Sequence, residues 1–157
     1  MNTLVHVRTE IDGRKALELA ELKQHIRTLI TLEATDAPVI SCYLNLETGG
    51  REDGVAGGQN VFRERRTMLR KSITGERKKP LEEALHEIEA HLENRLQPES
   101  NGVAIFARGG ARPFFLSLQF LVPLPNWIVV GPTPNVYHLV ELKDTYQRFV
   151  LLLLTEK

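Results

Sequence analysis

Between residues 63 and 79 the chain gathers the groups that could grip phosphate. Arg63, Arg65, Arg66, Arg70, Lys71, Arg77, Lys78 and Lys79 are eight cations against Glu64 and Glu76, a local charge of +6. Arg63, Arg66 and Arg70 recur at i, i+3 and i+7, so a helix would set them on one face, beside an apolar stripe of Phe62, Leu69 and Ile73. Such a stripe can neutralise an RNA backbone, each contact weakening with salt as counterions are released. It can equally be a solvated face whose arginine stems cover apolar surface. The following segment supports that second account, because Glu82, Glu83, Glu87, Glu89 and Glu93 against Arg95 give it a local charge of −4. No aromatic residue sits among the cations, which argues against stacking of single-stranded bases.

Other chemistry is sparse. His86 and His91 are five apart, off the i, i+4 spacing that puts two ligands on one helical face, and His6, His25 and His138 stand alone in sequence. The single cysteine, Cys42, lies in an apolar run, where it packs as a small hydrophobe; it excludes an internal disulfide and a multi-cysteine zinc site. Gly102, Gly109, Gly110 and Gly131 sit at strand ends and form no G-x-G-x-x-G phosphate loop. No serine occupies a nucleophile motif, and Trp127 reads as core. No metal or cofactor is expected. Gly57-Gly58-Gln59 remains, an amide directly behind two glycines that permit backbone conformations closed to other residues.

The elements that must position these residues follow from periodicity. Balanced charge, 20 basic against 20 acidic residues, gives no whole-protein field for nucleic acid, and 157 residues suit one ordinary domain. Leu19, Leu22, Ile26, Leu29 and Ile30 predict a helix over 13–32. Val39 to Leu46, too apolar for an edge, predicts a central strand. Glycines make 48–58 a loop. A second helix runs over 59–74, and a third opens at Pro80 with Leu81, Ala84, Leu85, Ile88, Leu92 and Leu96 as its buried face. Strands follow at 103–107, 113–121 and 127–130, the first two as a hairpin across Gly109-Gly110. A short helix from Val136 leads to an intensely apolar strand at 148–154. The fold class is therefore α/β: a mixed, mostly antiparallel sheet with packed helices. Met1 to Arg14 lacks a signal-peptide core and no run is long enough to span a bilayer, so cytoplasm is the expected location.

Three stretches resemble one family. Pro38-Val39-Ile40-Ser41-Cys42-Tyr43-Leu44-Asn45-Leu46 is similar to its first core strand, Asn101 to Ala107 to its "GvaiFa" strand, and Pro123 to Pro134 to its "PlPn…vvgp.P" segment. The family is the bacterial set related to the archaeal and eukaryotic class 1 release factors and their paralogue Pelota. The resemblance implies the N-terminal domain of a ribosome-associated protein over residues 1–146, with 147–157 as the opening strand of a truncated second domain. In archaeal and eukaryotic members this domain reads the stop codon through an Asn-Ile-Lys-Ser loop and a Tyr-x-Cys-x-x-x-Phe strand. Neither pattern is present here, and codon reading transfers to no residue of this chain.

The same resemblance gives Gly57-Gly58-Gln59 a meaning, since this tripeptide carries release factors into the peptidyl transferase centre, where the glutamine places a water against the ester. Arg63, Arg65 and Arg66 follow it, as basic residues follow the motif in true factors. In those factors, however, the motif belongs to the second domain, and in a glycine-rich first-domain loop it arises easily by chance. The expectation is a non-catalytic ribosome- or RNA-facing domain, with the eight cations from Arg63 to Lys79 as its contacts and neither DNA nor membrane as partner. The rival is an interaction module that self-associates through residues 148–154.

Overall fold

The computed structural model describes residues 2–5, 13–47 and 57–155, with side chains described for 19–47 and 57–146. Val39–Asn45, apolar except for Ser41 and the terminal Asn45, forms β2, which is paired on both sides and fully buried up to its last residue. Gly102–Arg108 forms β3, buried along its whole length, and Phe114–Phe120 forms β4. They make the hairpin expected around Gly109-Gly110, antiparallel with Gly102 opposite Phe120 and Arg108 opposite Phe114. Gly110 has φ 86°, a left-handed turn conformation that glycine takes without steric cost. Trp127–Gly131 forms β5, antiparallel to β2.

One strand escapes sequence reading. Asn2–Val5 forms β1, an edge strand parallel to β4, and the sheet order is β1-β4-β3-β2-β5. The sheet is thus mixed and mostly antiparallel, as expected. Four residues offer too short a pattern for periodicity to register.

Side chains alternate between the two faces of this sheet, so each face needs its own cover. Gly13–Ile30 forms α1, Gly57–Ser72 forms α2, Lys78–Asn94 forms α3 and Tyr137–Thr155 forms α4. Ile40, Cys42, Leu44, Val103, Ile105 and Ala107 pack under Phe62 and Leu69 of α2 and Leu81, Leu85, Ile88 and Leu92 of α3. On the other face Tyr43, Ala104, Phe106, Leu116, Leu118 and Phe120 pack under Leu22, Ile26 and Leu29 of α1 and Leu139 of α4. Each valine, leucine, isoleucine or phenylalanine among them removed from water contributes about 1.5–3 kcal/mol, which makes these two layers the scaffold for everything at the surface.

The structure corrects the reading of the C-terminal segment. Residues 148–154 continue α4, which runs unbroken from Tyr137 to Thr155; the expected strand at 147–157 is absent among the described residues. A short apolar run cannot distinguish strand from buried helix by periodicity. Leucine is a strong helix former, and no glycine or proline separates Tyr137 from Thr155. Pairing of two copies through a strand at 148–154 loses its basis, because a helix spends its backbone N–H and C=O groups internally. Among the described residues no helix is long and apolar enough to cross a membrane.

Candidate nucleic-acid interface

The basic stripe lies on α2, on the 3₁₀ turn Gly75–Arg77 and on the first residues of α3. Pro80 is the third residue of α3, within the first turn where its missing N–H costs nothing. The structure divides the eight cations into two groups. Arg66 pairs with Glu89, and Arg70 sets its Nε 2.9 Å from Glu82 and its Nη2 3.9 Å from Glu89. These two half-buried arginines therefore bind α2 to the acidic helix α3, as the second of the two sequence accounts requires. Arg63 is exposed and its Nη1 donates to Asn60 Oδ1 at 3.5 Å, while Arg65 is half-buried.

Lys71, Arg77, Lys78 and Lys79 behave differently. All four are exposed, and none forms an ion pair among the described residues. They sit where α2 hands over to α3. Arg77 also lines two adjoining clefts of about 530 and 600 Å³ that share Thr35, Asp36 and Ala37. Val130, Gly131 and Pro132 bound the first and Arg112 the second. Sequence reading missed Arg112, which is isolated in sequence and comes beside Arg77 only through the β3–β4 turn. That turn is held against α3: Gly110 N donates to Glu83 Oε2 at 3.0 Å, and a Cβ on Gly109 would meet Pro80 O at 2.4 Å. Arg108 anchors the rim, donating from Nε to Arg112 O at 2.9 Å and from Nη1 to Glu33 O at 2.8 Å.

The tripeptide Gly57-Gly58-Gln59 is not an exposed loop tip. It is the first turn of α2, and both glycines are buried. A Cβ on Gly58 would stand 2.5 Å from Asn45 O and 2.9 Å from Leu44 Cβ, so the glycine exists to let the helix end press against β2. Residues 48–56 of the expected loop lie outside the described residues. Asn126 completes the junction, its Oδ1 accepting from Asn45 N at 2.7 Å.

The remaining polar residues are structural. His91 is buried and its Nε2 shares a 2.7 Å hydrogen bond with Ser117 Oγ. Burial foremost, with repulsion from Arg95 adding to it, holds the imidazole below the usual histidine range. Gln119 accepts at Oε1 from Ser100 Oγ at 2.6 Å and Gln97 N at 2.8 Å, fixing the end of α3 to β4. Cys42 is fully buried and burial pushes its thiol up, so it carries no thiolate chemistry. His86 and His91 do not combine, and among the described residues no group of His, Cys, Asp and Glu could hold a metal.

No family model and no curated protein matches the chain. Among solved structures it is similar to the crystal structure of an archaeal translation termination factor, with a TM-score of 0.61 at 13% identity over 80% of this chain and 34% of that one. It is also similar to a structure described as an archaeal protein, with a TM-score of 0.60 at 14% identity over 80% of this chain and 36% of that one. This is a release-factor-domain-like fold. The chain spans about a third of each of those proteins, and at such identities the likeness is one of fold.

Proposed function

We propose that the chain is a non-catalytic, RNA-facing domain of a release-factor-like translation protein, and that it meets ribosomal or other RNA at the junction of α2 and α3. The observation that carries this reading is the set of exposed cations Lys71, Arg77, Lys78 and Lys79 beside the clefts around Arg77. Backbone phosphates would lie along the cations, each adding a salt-sensitive contact. The clefts would take what projects from the strand. The fold likeness to a translation termination factor supports a setting in translation. Burial of Gly57 and Gly58 in a helix supports the non-catalytic part, because a water-positioning glutamine needs a reach that the first turn of a packed helix does not offer.

The test is binding of the chain to ribosomes and to an unstructured RNA across a salt series. The expected result is binding at low ionic strength that weakens linearly on a log–log plot. Absence of salt-dependent binding at the lowest ionic strength removes this reading. Peptidyl-tRNA hydrolysis is expected to be absent; activity that disappears in Gln59→Ala would overturn the non-catalytic assignment.

A further inference from the structure

One edge of the sheet carries no charge. β5 is the last strand in the order β1-β4-β3-β2-β5, and among the described residues no other strand and no backbone hydrogen bond takes up its outer side. Edge strands are ordinarily blunted by charges or covering elements, because free N–H and C=O groups template pairing with another chain. From Pro113 to Val140 the sequence has no Asp, Glu, Lys or Arg, although a quarter of the whole chain is charged. Trp127, Val129 and Val130 are half-buried. Tyr137, 61% exposed, stands beside them at a cleft of about 440 Å³ that Val129, Gly131, Pro132 and Asn135 help to line. Depletion of charge around accessible aromatic and aliphatic groups is the composition of an interface core.

The direction of the free groups follows from the neighbouring strand. Leu46 N donates to Asn101 O at 2.9 Å on the β3 side, and Asn45 N to Asn126 Oδ1 at 2.7 Å on the β5 side. Backbone groups alternate in direction along a strand. Val39, Ser41 and Tyr43 therefore address Gly131, Val129 and Trp127, and the N–H and C=O groups of Ile128 and Val130 point outward. We infer that this edge pairs with β5 of a second copy of the chain, antiparallel about a two-fold axis at Val129. That register sets Ile128 opposite the partner's Val130, and both such pairs exchange N–H···O bonds, so every outward group of the strand is used. It sets Trp127 opposite the partner's Gly131, where the missing side chain leaves room for the indole at a closely spaced, non-hydrogen-bonded position. An axis at Val130 would instead bring Ile128 against Pro132, which has no N–H to give. An axis at Ile128 would bring Val130 against Asn126, outside the strand. Two uncharged strands oppose no like charges, so the edge is self-complementary, as a two-fold contact requires.

The experiment is sedimentation equilibrium of the chain from about 1 μM to about 1 mM, which covers the affinities of small interfaces. The expected result is a reversible monomer–dimer equilibrium. Val129→Lys sets like charges against each other on the axis and is expected to raise the dissociation constant about tenfold or more, as is Val129→Glu. An equimolar mixture of these two variants is expected to recover association, because opposite charges then meet. Val129→Thr, uncharged and β-branched, is expected to dimerise like the parent. Val130→Pro removes an outward N–H and leaves the β2 ladder intact, so it keeps the fold and loses the dimer. Dispersed amide spectra of each variant confirm folding. A monomer throughout the range overturns the proposal. A dimer that survives both charged variants also overturns it, by placing the contact elsewhere, and loss of association without recovery in the mixture removes the axis at Val129.

Discussion

Arg70 Nε lies 2.9 Å from Glu82 Oε2, and through this contact and the Arg66–Glu89 pair part of the basic stripe is turned inward onto its own neighbour. Cations committed to carboxylates cannot also release counterions from phosphate. The prediction separates the two groups. Neutralising Arg77, Lys78 and Lys79 together to glutamine is expected to flatten the log K against log salt slope for single-stranded RNA by up to about 2, at about 0.7 per phosphate contact. Arg66→Gln and Arg70→Gln are expected to leave that slope nearly unchanged. Their effect should appear instead as a stability loss within about 1 kcal/mol in urea unfolding, because the pairs are partly exposed and screened.

Gly58→Ala is expected to destabilise the fold, although alanine is the better helix former by about 1 kcal/mol. The added methyl would meet Asn45 O at 2.5 Å and Leu44 Cβ at 2.9 Å, backbone and stem atoms that cannot swing away. Overpacking of this kind costs typically about 1–3 kcal/mol, and contact with main chain places it at the upper end. A net loss of about 1–2 kcal/mol is expected. Gln59→Ala, with no such contact, should change stability by less than about 0.5 kcal/mol. Equal stabilities for Gly58→Ala and the parent chain would refute the packing role of this glycine.

How much of this was legible in the sequence depends on whether a residue's role was decided locally. Val39–Asn45 and Gly102–Arg108 declared themselves because strands buried on both faces must be apolar throughout, and α1, α2 and α3 because an amphipathic helix repeats its stripe. Residues 148–154 misled because the unbroken apolar run Phe149 to Leu154 erases the period that separates helix from strand. The charge balance between α2 and α3 was visible, yet which arginines it would consume was not, because that depends on the phase of one helix against another. Arg112 entered the cleft beside Arg77, and Gly58 met Asn45, through contacts distant in sequence. Composition carries no trace of either.

Cys42 offers a probe of the core rather than of a site. It is fully buried beneath α2 and α3, and burial raises its thiol above the ordinary range. Reaction requires both exposure and thiolate. Labelling by a maleimide is therefore expected only through global or large-scale opening, with a rate that rises in parallel with unfolding by urea. Rapid stoichiometric labelling of the native chain would show that the α2–α3 layer does not cover β2 as described.

The histidine at position 91 predicts an acid-side loss of stability. In the unfolded chain its imidazole takes up a proton near pH 6.5; in the folded chain burial delays that uptake to lower pH. Between the two values the unfolded state holds more protons, so stability rises with pH across the window. The contribution is complete above about pH 7, begins to fall as pH drops through about 6.5, and stops falling only below the folded value. His25 acts with the same sign, since burial lowers it too, against a partial opposing effect of Glu21. Each group can contribute at most about 1.4 kcal/mol per pH unit. Urea midpoints measured from pH 8 down to pH 5 are expected to decline, and His91→Gln should decline less steeply because the buried group facing Ser117 no longer titrates. An identical pH profile for parent and variant would mean that water reaches His91 in the folded state and that the α3–β4 contact is looser than its 2.7 Å hydrogen bond implies.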